Sequence, residues 1–229
     1  MAVASLAQQL SGWLRQSAPE ELPILVAAAQ LELAEAPLHV QISDFASQCQ
    51  ESGIDRVVIL PLFLIPGVHV MDDIPAEVAL AEREIGNRVK LVAASFLGSN
   101  ADFTNLFARN CSCLPSQSII LAHGSRRSGS NEIVERLAHD LDLQTAYWSV
   151  PPSLADRVAA AIATGATEIG ILPYFLFTGG ITDAISESIA QLTQQYPQVK
   201  LILGEPIGNS PELVATIGKI LGSGILNSG

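Results

Sequence analysis

Basic residues are scarce in this chain. Lysine and arginine number 12 against 23 acidic residues, a formal charge of -11. A nucleic-acid or anionic-membrane surface needs a basic stripe that this balance does not supply. Cysteine is scarcer still: Cys49, Cys111 and Cys113 form an odd set in no disulfide or zinc pattern, which fits a reducing, cytoplasmic setting. The Cys111-Ser112-Cys113 pair reads either as a metal chelate or, more simply, as two inert thiols in a linker. Long apolar runs are missing too. The most apolar, "VVILPLFLIPGV" (57–68), has 12 residues and two prolines, against the roughly 20 that a spanning helix needs. It reads as core strand, and the mean hydropathy of +0.35 as a large core. The opening "MAVASLAQQLSGWLRQ" has no basic n-region and reads as an amphipathic helix rather than a signal peptide. Neither GxxxxGK[ST] nor a GxGxxG after a strand occurs, so no nucleotide site is expected.

What is present is a repeat. "SGIDRVVILPLFLIPG" (52–67) lies against "TGATEIGILPYFLFTG" (164–179), with Gly53 over Gly165 and Pro61 over Pro173 at an offset of 112 residues. "VKLVAASFLG" (89–98) lies against "VKLILGEPIG" (199–208) at an offset of 110. Two matches in one order at nearly one spacing indicate a duplicated domain, with lobes at 1–113 and 114–229 joined near "CSCLPSQ" (111–117). In the second half, strands are expected near 118–123, 143–148, 168–176 and 200–204. Helices fall near 129–141, 153–164, 183–195 and 211–221. Continuous apolar strands are buried on both faces, as parallel strands are, and strand–helix alternation gives βαβ units. The expected fold is α/β: two tandem flavodoxin-like lobes with parallel sheets, binding ligands beyond the carboxyl ends of the strands.

The lobes are unequal. "AVASLAQQL" (2–10) matches "IVERLAHDL" (133–141) at an offset of 131, which places the first-lobe counterpart of His123 ahead of Met1. The first lobe thus lacks an opening strand and its His-Gly-Ser loop, and the sequence reads as truncated at its start. In a flavodoxin-like order that strand is interior to the sheet.

Several residues at strand ends bear chemistry. The apolar run at 25–31 delivers Glu32, with Glu35 a turn later; His69 follows Gly67 just past another run. A His and a carboxylate on neighbouring carboxyl-end loops suit a divalent first-row metal; the plainer reading is a solvated Glu and a capped loop His. Asp72 and Asp73 before Ile74-Pro75 read as a helix N-cap. His39 and His139 sit in ordinary helical contexts. In "SIILAHGSRRSGSNEIVERLA" (118–138), His123 ends a buried strand. Ser125, Arg126 and Arg127 lead into a helix, where a helix N-terminus and arginines both favour anions such as carboxylates, unless the loop is only a solvated turn.

"HGSR" (123–126), "LELAEAPL" (31–38), "PLFLIPGVH" ahead of "DIP" (61–75) and "PYFLFTGGITDAI" (173–185) occur in order within a duplicated α/β chain. The whole resembles the class II sirohydrochlorin chelatases in their two-lobed long form. The resemblance implies an enzyme: a metal-inserting lyase, ferrochelatase or cobaltochelatase, that puts Fe2+ or Co2+ into sirohydrochlorin for siroheme or cobalamin synthesis without ATP. It implies Glu32 and His69 as metal ligands, His123 as a catalytic residue, and Ser125, Arg126 and Arg127 as contacts to the tetrapyrrole. The family's first-lobe HGS His has no counterpart here, and the second lobe has Trp148 and Ile181 where Glu32 and His69 would align.

On this reading the macrocycle loses two pyrrolic protons and lies in a cleft between the lobes, with His123 across from Glu32 and His69. A neutral imidazole serves as ligand or proton acceptor near neutral pH. Iron is favoured over cobalt, no cofactor beyond the metal substrate is expected, and the duplication makes a monomer sufficient. Partners are sirohydrochlorin and the metal, with neither nucleic acid nor membrane. Two alternatives stand: a non-catalytic tetrapyrrole or metal carrier derived from a chelatase, and an unrelated α/β anion-binding module.

Overall fold

The computed structural model describes residues 2–19, 22–110, 114–208 and 210–226. Cys111, Cys113 and the chain start at Met1 lie outside these residues. The first half runs α1 (Ala2–Ser17), α2 (Leu38–Glu51), β1 (Arg56–Ile59), α3 (Ile74–Ile85), β2 (Lys90–Ala93) and α4 (Ala101–Asn110). The second runs β3 (Ser118–Ala122), α5 (Glu132–Asp140), β4 (Gln144–Tyr147), α6 (Leu154–Ala163), β5 (Glu168–Pro173), α7 (Gly180–Gln195), β6 (Lys200–Leu203) and α8 (Pro211–Leu226). Among the described residues no helix is long and apolar enough to cross a membrane.

The second-half strands form one parallel sheet in the order β4-β3-β5-β6, the flavodoxin-like order expected from the alternating pattern. All five residues of β3 are buried, which is why "SIILA" reads as an unbroken apolar run: helices cover both faces. Ile119, Leu121, Ile169 and Ile171 pack with Val158, Ile185 and Ile189 of the flanking helices. Local signals agree with the elements they open. Ser153 accepts from the Asp156 N–H while Asp156 accepts from the Ser153 N–H, a reciprocal cap on α6 that contributes about 1 kcal/mol.

The first half repeats this plan incompletely. β1 and β2 pair in parallel with Arg56 opposite Lys90, as Glu168 lies opposite Lys200 in β5–β6, so the repeat read from sequence is a repeat of register. Ile42, Ala46, Val78 and Ala81 join α2 and α3 into a core beneath these strands. The run 25–31, expected as a strand, has no strand assignment, and among the described residues this sheet has two strands. The equivalent β4 is held by its ladder with β3, and among the described residues the run 25–31 has no such neighbour to pair with.

Compactness divides the chain differently from the repeat. One unit comprises the residues up to Asn100 together with α8; the other is Ala101–Gly208. Relative to the sequence division at 113/114, each half gives its last helix to the other unit. In the first unit, α8 packs on α1, with Gly218 against the Trp13 ring. In the second, α4 sets Phe103 and Phe107 edge-on to the buried Tyr174, at ring-centroid distances of 6.3 and 4.8 Å.

Candidate functional site

In the first unit the chain leaves β1 through "LPLFLIPGV" and enters a π-helical turn, His69–Asp73, that runs directly into α3. Residues four apart on a helical turn share a face, so His69 and Asp73 meet: His69 Nδ1 lies 2.8 Å from Asp73 Oδ2. An ionised carboxylate only accepts, so in the neutral ring Nδ1 carries the proton and Nε2 presents its lone pair, the tautomer following from the partner. That Nε2 lies 3.7 Å from Glu32 Oε1, beyond hydrogen-bonding distance. The Phe63 ring stands beside the imidazole, centroids 6.0 Å apart.

Asp73 is the residue that sequence reasoning misread. It does precede α3, with Pro75 in the first turn, but makes no side-chain cap bond. The chain is already helical before it, so the first N–H groups of α3 find carbonyls in the preceding turn and need no cap. The available signal was the four-residue spacing from His69.

Metal–nitrogen and metal–oxygen bonds of about 2.0–2.2 Å let one ion bridge donors at this separation with an angle of about 120° at the metal. Both side chains are partly solvent-exposed, which leaves room for water or another donor on such an ion. Among the described residues no third His, Cys, Asp or Glu joins them in a group able to hold a metal.

The second unit contributes the β3–α5 loop. His123 is exposed at the end of β3, its Nδ1 2.9 Å from the Gly124 carbonyl oxygen, which again leaves Nε2 as the open nitrogen of the neutral ring. Gly124 has φ +79°, and a Cβ there would come within 2.7 Å of Val150 Cγ2 and 2.8 Å of Tyr147 Cβ. Only glycine fits both the backbone angle and the space. Burial raises the Tyr147 phenol above its usual range. Asn131, not foreseen from sequence, ties the loop shut: its Oδ1 accepts from the Ser125 N–H and its Nδ2 donates to the Ser125 carbonyl. Ser125 Oγ accepts from the Arg127 N–H, so this hydroxyl shapes the loop. Arg126 and Arg127 are exposed on it, and a guanidinium is a side chain suited to anions.

Trp148 and Ile181 are exposed apolar side chains and offer no ligand atoms. His39 is structural, as its helical context suggested. Its N–H and Nδ1 both lie 2.8 Å from Glu77 Oε2, joining α2 to α3. His139 is exposed on α5 beside Asp140.

The chain is similar to the sirohydrochlorin cobaltochelatase of Priestia megaterium, at 25% identity over 189 residues that cover 75% of this chain and 61% of that protein. It is similar to the sirohydrochlorin ferrochelatase of the same organism, at 24% over 166 residues, covering 66% and 61%. The chain thus spans 61% of the length of these curated relatives. Among solved structures, SirB from Bacillus subtilis with Fe3+ superposes at a TM-score of 0.76 with 18% identity, over 98% of this chain and 90% of that one. The structure of CbiX described as the terminal enzyme for biosynthesis of siroheme in denitrifying bacteria superposes at 0.64 with 20% identity, over 97% and 90%. At these identities the likeness establishes the fold. The CbiX family matches residues 6–112 and again 117–222, once for each half of the internal repeat, and the chain belongs to that family.

Proposed function

We propose that this chain is a sirohydrochlorin chelatase, which takes Fe2+, with Co2+ as the other candidate, between Glu32 and His69 and inserts it into sirohydrochlorin without a nucleotide. The observation that carries this reading is the placement of His69, with Nδ1 2.8 Å from Asp73 Oδ2 and Nε2 3.7 Å from Glu32 Oε1. In the neutral ring a carboxylate at Nδ1 favours the tautomer that leaves the Nε2 lone pair open. A metal-ligating His is characteristically oriented through its other nitrogen by a carboxylate. Family membership and the names of the relatives support the substrate pair. Both a cobaltochelatase and a ferrochelatase are among them at nearly equal identity, so the choice of iron is open to direct competition.

The roles follow from donor chemistry. Glu32 and His69 replace waters on the incoming ion. The two pyrrolic protons need acceptors, and the open Nε2 of His123 is one. Arg126, Arg127 and the N–H groups of the Ser125 loop meet the carboxylates at the rim of the macrocycle. Anaerobic incubation with sirohydrochlorin and Fe2+, followed through the Soret band, tests the reading: wild type metallates the ring, and His69→Ala slows this at least about tenfold. Undiminished insertion by His69→Ala removes the pair from the mechanism.

One observation favours a second reading. Only two donors meet among the described residues, which suits a carrier that holds metal or tetrapyrrole without joining them. A shifted Soret band with no metal incorporated selects the carrier.

A further inference from the structure

The bond between His39 and Glu77 accounts for one side of that imidazole and leaves the other side to be explained. α2 and α3 pack through Leu38, Ile42, Val78, Ala81 and Ile85. On α2, His39 and Ser43 stand one residue past Leu38 and Ile42; on α3, Glu77 and Glu84 stand one residue before Val78 and Ile85. Residues four or seven apart share a helix face, so each pair lines the polar border of its helix's buried stripe. At that border the four side chains meet.

Glu77 Oε2 lies 2.8 Å from both the backbone nitrogen and Nδ1 of His39, and these bonds, the N–H first, hold its carboxyl below the usual range. An ionised carboxylate only accepts, so in the neutral ring it favours the tautomer with Nδ1 protonated and the Nε2 lone pair open. That Nε2 lies 3.7 Å from Glu84 Oε1, too far for a hydrogen bond. Ser43 Oγ donates to the other oxygen, Glu84 Oε2, at 2.6 Å.

This differs from an ordinary surface ion pair in three respects. Both open atoms are oriented from behind, the imidazole by a carboxylate and the carboxylate by a hydroxyl, as metal ligands characteristically are. Their separation equals that between His69 Nε2 and Glu32 Oε1, so an ion with bonds of about 2.0–2.2 Å bridges it equally well. Among the described residues, moreover, neither carboxylate has a lysine or arginine partner, and the guanidinium of Arg88 is bound to the backbone carbonyls of Ile85 and Glu84. The local charge is therefore negative, and Glu84 is 47% exposed, open to a hydrated cation.

We propose that His39 Nε2 and Glu84 Oε1 form a divalent-metal site on the α2–α3 face, for a first-row ion such as Co2+ or Zn2+, with Glu77 and Ser43 as positioning residues. An imidazole–carboxylate pair favours ions of this class over Mg2+ and Ca2+, which prefer oxygen donors throughout. Water completes the shell, since no group of three His, Cys, Asp or Glu able to hold a metal occurs among the described residues. The site shares no donor with Glu32 and His69 and does not rest on the chelatase reading.

The test titrates Co2+ into the metal-stripped full chain carrying His69→Ala, which removes the imidazole of the other pair, at about pH 8, above the ordinary imidazole range. One saturable equivalent with visible absorption bands is expected, displaced by Zn2+ and not by a similar concentration of Mg2+. Adding Glu84→Gln, a half-exposed side chain outside the core that still offers Ser43 an acceptor, should weaken binding about tenfold or more, and Glu77→Gln about 10- to 100-fold. In the nitrogen NMR spectrum, Zn2+ should move the His39 Nε2 resonance and leave His139 in place. No bound equivalent, binding undiminished by Glu84→Gln, or an unmoved His39 resonance overturns the proposal and leaves a proton as the cation that His39 shares with the two carboxylates. Displacement by Mg2+ as readily as by Zn2+ also overturns it, since carboxylates alone would then hold the ion. Metal insertion enters none of these readouts, so failure here and failure of the chelatase reading are told apart.

Discussion

At the scale of single residues, the account rests on one proton. With Nδ1–H donated to Asp73, His69 keeps Nε2 open; without that carboxylate the ring is free to turn and to change tautomer. Asp73→Ala should therefore weaken Co2+ binding about 10- to 100-fold with Glu32 and His69 both still present, read by titration of the cobalt absorption bands. An unchanged affinity means the orientation does not matter. Gly124 makes a second prediction. Its φ and the contacts a Cβ would meet put the cost of Gly124→Ala at about 2–4 kcal/mol, whereas Gly53→Ala, also at positive φ just past the end of α2 but facing open space, costs about 1 kcal/mol. Urea denaturation of the two variants separates clash from backbone angle. That His123 and the Ser125–Arg127 loop lie just past a strand was legible in the sequence, because β3 is an unbroken apolar run; Glu32 follows a run of the same look that is no strand. The roles of Asp73 and Asn131 were not legible, since they depend on where a helical turn begins and how a loop closes.

At the scale of elements, α2 and α3 are joined by a bond that depends on pH. The N–H of His39, then its imidazole, bind the Glu77 carboxylate and hold it below the usual carboxylate range. A carboxyl depressed in the folded state contributes stability that is complete above its unfolded pKa of about 4.3 and is lost as pH falls through the folded value. Glu77→Gln should therefore be less stable than wild type at pH 6 and lose less stability on going to pH 3, measured as unfolding free energy in urea. Equal acid sensitivity in both proteins would assign the acid limb to other groups. Strands of the second half were legible to within a residue at each end, except that β5, expected to reach 176, ends at Pro173, because burial on both faces leaves an unbroken apolar run that does not mark where pairing stops. The run 25–31 has the same look and is no strand: sequence pattern reports what a segment is suited to, and pairing decides what it becomes.

At the scale of the whole molecule, the two copies of the repeat build unequal sheets, with four strands in one and two in the other among the described residues. A two-stranded sheet is marginal by itself, so amides of β1 and β2 should exchange faster than those of β3 and β5; equal protection would show the first unit to be as firmly built as the second. The repeat and the fold class could be read from sequence. The exchange of α4 and α8 between units could not, because an amphipathic helix does not record which core it covers. The central claim is metal insertion through Glu32 and His69, and the most direct measurement compares anaerobic Fe2+ insertion into sirohydrochlorin by the wild type, Glu32→Gln and His139→Ala. The account predicts that Glu32→Gln loses at least about tenfold in rate, while His139→Ala, on the exposed face of α5, keeps the wild-type rate. Equal rates for wild type and Glu32→Gln would contradict it.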